Sequence, residues 1–114
     1  MTDCIFCKMA SGEIQPDVVL ENEEILAFRD LNPQAPTHIL IIPKRHISTA
    51  NDLQAEDAEL IGKLILAAKT IAAQEGLSER GYRTVLNCNA EAGQSVFHIH
   101  LHLLGGRPMG WPPG

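Results

Sequence analysis

Three of the chain's five histidines fall within five residues, His98-Ile99-His100-Leu101-His102. Imidazole can offer both a proton donor and a lone pair near neutral pH. In an extended segment successive side chains point to opposite faces, so this spacing sets His98, His100 and His102 on one face and Ile99, Leu101 and Leu103 on the other. Consecutive imidazoles would then stand roughly 6 to 7 Å apart. Just upstream, Gly93-Gln94-Ser95 offers flexible backbone N–H groups, an amide and a hydroxyl. Such a loop and three imidazoles can surround phosphate oxygens with donors, with no basic side chain in the cluster. A histidine with one ring nitrogen protonated and hydrogen-bonded can also attack phosphorus with the other, and the central His100 is best placed to do so. His-x-His is equally a metal-ligand pattern, which keeps a zinc hydrolase as a competing reading.

The elements that must carry these residues are legible as periodicity. Val18 to Glu21, Glu24 to Arg29 and His38 to Ile42 are short apolar or mixed runs bounded by turn residues, as strands of a half-buried sheet are. From Ala55 to Glu75, apolar positions Leu60, Ile61, Leu64, Ile65, Ala68, Ile71 and Ala72 recur at steps of three and four, which predicts one helix with Gly76 as its left-handed stop. Tyr82 to Asn87 and Phe97 to Leu104 read as two further strands, joined by the polar loop Cys88 to Ser95. Strands, one long helix, then strands predict an α+β fold: an antiparallel sheet with the helix on one face. No repeat or Gly/Ser linker divides the 114 residues, so residues 1–114 read as a single domain.

Composition narrows the partners. With 14 acidic and 9 basic side chains the formal charge is -5, which argues against a nucleic-acid binder, because such proteins displace counterions with Lys and Arg. Lys63 and Lys69 interrupt the most apolar stretch, so no segment suits a membrane span of roughly 30 Å. The N-terminus carries Asp3 and Lys8 where a secretory leader needs its apolar core, so a cytoplasmic location is expected. Cys4-x-x-Cys7 reads as a redox pair, two buried thiols or half of a zinc site, and a total of three cysteines argues against a simple disulfide framework.

His98-Ile99-His100-Leu101-His102-Leu103-Leu104 matches the His-x-His-x-His-x-x pattern of the histidine triad superfamily. Phe28 to His38, Pro43 to Ile47 and Gly105 to Gly114 resemble, in order, segments of its Hint branch, the histidine triad nucleotide-binding proteins. The resemblance implies a five-stranded antiparallel sheet with one long helix and a short N-terminal helix, two such sheets joining across a homodimer. It also implies hydrolysis of purine nucleoside 5′-phosphoramidates, with AMP or GMP released from an amine such as a lysine side chain. By that analogy His100 is the nucleophile, His98 orients it through its own carbonyl, and His102 donates to phosphate oxygens. His38 buttresses the triad and Asp30 accepts the ribose hydroxyls. Phe6, Ile14, Phe28 and Leu31 form the purine pocket. Asn87, Gly93, Gln94 and Ser95 contact the phosphate or leaving group, with Ser95 nearest the departing nitrogen, and Trp111 lies on the leaving-group side of the neighbouring subunit's site. No cofactor is required for this chemistry. Some similar bacterial proteins suggest a structural zinc on Cys4, Cys7, His46 and His98. Arg29 and Gly110 depart from members that carry histidine at those places. A nucleotide-binding adaptor with vestigial catalysis is the alternative function.

Overall fold

The computed structural model describes residues 3–114, so Met1 and Thr2 lie outside the described residues. A short helix α1 (Ile5–Ala10) precedes strands β1 (Val18–Glu21), β2 (Ile25–Arg29) and β3 (Thr37–Pro43), the long helix α2 (Ala58–Gln74), and strands β4 (Tyr82–Val85) and β5 (Leu101–Gly105). The five strands make one antiparallel sheet in the order β1-β2-β3-β5-β4. Central β3 is buried along its whole length, because both faces of the sheet are covered there.

Alternation along the strands divides the core. Ile25, Ala27, Ile39, Ile41, Leu101 and Leu103 face α2 and pack on Leu64, Ala67, Ala68, Ile71 and Ala72. Leu26, Phe28, Leu40 and Ile42 face the other way and are covered by Phe6 from α1. The histidine chemistry lies on this second face. Helix α2 stops where expected: Gly76 adopts φ +75°, and the N–H groups of Gly76 and Leu77 donate to the carbonyls of Ala73 and Ala72 at 3.1 and 2.8 Å. That pairing satisfies carbonyls the helix end would leave open.

Three expected boundaries move. The helix starts at Ala58, after a separate 3-10 turn at Ala55–Asp57, and Ile65 lies exposed rather than in the buried stripe. Strand β4 ends at Val85 and β5 begins at Leu101, four residues after Phe97. The segment before Leu101 is not paired in the sheet. Its Ile99 N–H donates instead to the Ile47 carbonyl at 2.7 Å, and the Ile99 side chain enters a separate cluster with Ile47 and Leu60. Among the described residues no helix is long and apolar enough to cross a membrane.

Candidate active site and metal cluster

Although β5 begins only at Leu101, alternation continues back through the unpaired segment: Ile99, Leu101 and Leu103 pack toward α2, and the three histidines lie on the α1 side. His98 is fully buried and its ring turns toward the cysteines. Its Nε2 lies 2.7 Å from the Pro43 carbonyl, which can only accept, so Nε2 carries the proton and Nδ1 holds a lone pair. That lone pair faces Cys4 Sγ at 3.4 Å and Cys7 Sγ at 3.6 Å. The expectation of three imidazoles around one phosphate is therefore corrected to two: His98 has both nitrogens engaged elsewhere. Burial holds the His98 ring below the ordinary imidazole pKa, with further lowering by His46 and His100 against an opposing effect of the Pro43 bond.

His100 and His102 line a cleft of about 380 Å³ on the α1 side of the sheet. His100 Nδ1 lies 2.8 Å from the His98 carbonyl, so the same logic protonates Nδ1 and leaves Nε2 with a free lone pair. The geometry of His102 follows from a longer chain. The Gln34 backbone N–H donates to His38 Nδ1 at 3.0 Å, which leaves a neutral His38 with its proton on Nε2. That Nε2–H donates to His102 Nδ1 at 2.9 Å, and His102 must then carry its own proton on Nε2. Burial, with smaller contributions from His100 and His38, pushes the His102 pKa down to about 4. His102 is therefore a neutral donor at pH 7. Burial likewise lowers His38, opposed by Asp30, whose Oδ2 stands 3.5 Å from His38 Nε2.

The cleft is lined by both apolar and polar side chains. Phe6, Ile14, Phe28 and Leu31 all line it, as expected from sequence, and so do Asp30 and Ser95. Leu31 is 96% exposed. Phe6 meets Phe28 edge-on at 5.5 Å between ring centroids, and meets the rings of His98 and His100 at 5.8 and 5.2 Å. One residue of α1 thus walls the pocket and braces two of the histidines. Ile5, Met9, Gln15, Asp17, Leu40 and Val96 also line the cleft and were missed. The i, i+4 pair Ile5 and Met9 flanking Phe6 was the available signal for an apolar face of α1.

Several expected residues do other work. Gly93 takes φ +87°, a conformation open to glycine, and the N–H groups of Gly93 and Gln94 donate to the carbonyls of Ala90 and Asn89 at 3.0 and 3.1 Å. They close the loop rather than face the cleft. The Gln94 amide is also occupied: its oxygen accepts from the Asn89 N–H, and its nitrogen donates to the Ser48 and Val96 carbonyls. Only Ser95 of that loop reaches the cleft. Asn87 lies half-buried just beyond β4, outside the cleft lining. Trp111 is 84% exposed in the tail and does not line this chain's cleft. A second cleft of about 380 Å³, between the turn before β2, the residues just after β3 and the start of α2, is lined mostly by charges. Its Lys44, Arg45 and Lys63 are paired with Glu21, Asp57 and Glu24.

Behind the cleft, ligand atoms of Cys4, Cys7, His46 and His98 all lie within 4.8 Å of one another. His46 offers Nδ1 to Cys7 Sγ at 3.3 Å while its Nε2 contacts Ser48 Oγ at 3.2 Å. A tetrahedron with Zn–S about 2.3 Å and Zn–N about 2.0 Å has S-to-N edges of about 3.5 Å. The observed 3.3 to 3.6 Å separations match it, and each imidazole is oriented by a partner on its other nitrogen, as metal-ligating histidines are. The donor set therefore fits a closed zinc site. It does not fit a zinc hydrolase built on His98-x-His100, because among the described residues His100 belongs neither to this cluster nor to the other group of close donor atoms, Asp30, His38 and His102.

A family model described as "HIT domain" matches residues 11–109. The purine nucleoside phosphoramidase of Escherichia coli (strain K12) is 52% identical over 108 residues, covering 95% of this chain and 91% of that protein. The 14 kDa zinc-binding protein of Zea mays is 55% identical over 112 residues, covering 96% and 87% respectively. Among solved structures, a HIT family hydrolase from Legionella pneumophila Philadelphia 1 superposes with a TM-score of 0.97 at 61% identity, covering 98% of this chain and all of that one.

Proposed function

The chain belongs to the HIT domain family, and on that premise we propose that it is a hydrolase of purine nucleoside 5′-phosphoramidates. The observation that carries the reading is the pair of fixed tautomers in the cleft: His100 Nε2 presents a lone pair and His102 Nε2 presents a proton. A phosphoryl group between them meets one nucleophile and one donor.

In the first step the Nε2 lone pair of His100 forms a bond to the α-phosphorus as the P–N bond breaks, and the departing nitrogen takes the proton of the Ser95 hydroxyl. In the second, water adds to phosphorus, its proton returns to the Ser95 oxygen, and the His100 bond breaks to release the nucleoside monophosphate. Holding nucleophile and phosphorus in line contributes several kcal/mol to such a displacement. The charge forming on His100 is stabilised by its Nδ1–H bond to the His98 carbonyl, and phosphate charge by the His102 donor. Phe6, Ile14, Phe28 and Leu31 hold the base, and Asp30 accepts the ribose hydroxyls. Gly93 and Gln94 serve by shaping the loop that delivers Ser95.

Cys4, Cys7, His46 and His98 would hold a structural zinc, which supplies a cross-link between α1 and the segment before β5 and takes no part in the steps above. The chain forms a homodimer in this reading, since β4 is an edge strand whose outer hydrogen-bonding groups suit pairing with a second copy. Trp111 would then complete the partner's leaving-group side. The test is incubation with adenosine 5′-phosphoramidate: the wild type should release AMP and His100→Ala should not. No AMP from the wild type, or equal activity in the variant, would overturn the reading.

A further inference from the structure

His98 is the residue where the metal cluster and the nucleophile meet, and it serves each with a different part. Its imidazole Nδ1 faces the two thiols, 3.4 and 3.6 Å away, while its main-chain carbonyl takes the His100 Nδ1–H at 2.8 Å. The carbonyl belongs to a segment held outside the sheet, since β5 begins only at Leu101. Three anchors therefore fix where it points: the His98 Nε2 bond to the Pro43 carbonyl, the Ile99 N–H bond to the Ile47 carbonyl, and the thiol side of the His98 ring. Phe6 adds a second route, because it lies on α1 between Cys4 and Cys7 and touches the rings of both His98 and His100. Cys4 also begins that helix, its sulfur accepting the Cys7 N–H at 3.3 Å.

We infer that Cys4, Cys7 and His46 are positioning residues for His100: closing the cluster around a divalent metal fixes the His98 carbonyl and Phe6, and with them the nucleophile. This deepens the phosphoramidase reading and rests on it. The metal never meets substrate. Its effect passes through the His98 main chain and the Phe6 ring, and by linkage it is reciprocal: whatever factor metal adds to nucleotide affinity, nucleotide adds to metal affinity.

The full-length protein is stripped with chelator and reloaded with zinc, and AMP binding is measured by calorimetry in both forms, well below the unfolding temperature. Zinc affinity is then measured by chelator competition with and without AMP. We expect zinc to tighten AMP roughly 5- to 20-fold and AMP to tighten zinc by the same factor, within the usual range of coupling between sites. Cys7→Ser should bind AMP as the stripped wild type does, with kcat lowered more than KM is raised. His46→Cys, which keeps a zinc-competent donor, should retain the zinc response, and Cys88→Ser, outside the cluster, should behave as wild type. Equal AMP affinity with and without zinc overturns the coupling while leaving the phosphoramidase reading intact, as does a failure of the protein to take up zinc. Failure of AMP to bind in any form sinks that reading and this one together. A Cys7→Ser variant with lowered melting temperature and unchanged kcat would make the cluster a structural staple only.

Discussion

Replacing His38 with phenylalanine isolates the relay that fixes His102. Phenylalanine keeps a ring of similar size in a site that is 6% exposed, so little cavity forms and the two nitrogens are what is lost. The Gln34 N–H loses its 3.0 Å acceptor and His102 Nδ1 its 2.9 Å donor. Each buried polar group left unpaired costs about 1 to 3 kcal/mol, so the fold should lose about 2 to 6 kcal/mol. The catalytic loss has a separate origin. Without the His38 proton, His102 is free to move its own proton to Nδ1, and its Nε2 then no longer donates into the cleft. Loss of such an orienting partner typically lowers activity about 10- to 100-fold, equivalent to about 1.4 to 2.7 kcal/mol of barrier. Initial rates on adenosine 5′-phosphoramidate, taken where circular dichroism shows the variant folded, give the kinetic half. Nitrogen-15 shifts of the His102 ring give the tautomer. A variant with kcat/KM within twofold of wild type, or one whose His102 still carries its proton on Nε2, would refute the relay.

Asp30→Asn keeps the shape of the carboxylate but replaces one acceptor oxygen with a donor, so KM for the nucleoside phosphoramidate should rise about tenfold while kcat moves less; steady-state kinetics settle it, and an unchanged KM would remove Asp30 from the ribose. Phe6→Ala deletes the ring that packs on Phe28, His98 and His100, and denaturant unfolding should show a loss of about 3 to 5 kcal/mol. Acid should destabilise the protein in a defined window. Because the folded His102 pKa is about 4, below the unfolded value of about 6.5, the unfolded chain takes the proton first. Stability on this account is retained above pH 6.5 and falls as pH drops toward about 4, with His38 shifted in the same direction. Melting temperatures flat across that window would contradict the burial of these neutral rings.

Much of this fold is legible as periodicity. The apolar stripe Leu60, Leu64, Ala68 and Ile71 gives α2, and Gly76 ends it. The central strand is also visible, since His38 to Ile42 is an apolar or mixed run between turn residues and the strand extends it by one residue at each end, Thr37–Pro43. What alternation cannot convey is where a segment leaves the sheet. Residues 97–100 look like strand, yet the Ile47 carbonyl takes the Ile99 N–H, and the Pro43 carbonyl and the two thiols occupy both ring nitrogens of His98. Spacing likewise cannot reveal a tautomer, because the partners that decide it are the Gln34 N–H and the Pro43 and His98 carbonyls. The Gly93-Gln94 pair misleads for a similar reason, since its donors look available until the loop is closed on itself. Asp30 and Ser95, in contrast, lie on the cleft where the motif match put them.

Catalysis by this mechanism depends on His100 as a nucleophile with a free Nε2. Mixing the protein with adenosine 5′-phosphoramidate, quenching with alkali within milliseconds to seconds and analysing the peptides by mass spectrometry tests this most directly. An adenylate adduct on the peptide bearing His100, rising and then decaying as AMP appears and absent from His100→Ala, is the predicted result. AMP release at the full wild-type rate by His100→Ala, with no adduct on that peptide in the wild type, would contradict it.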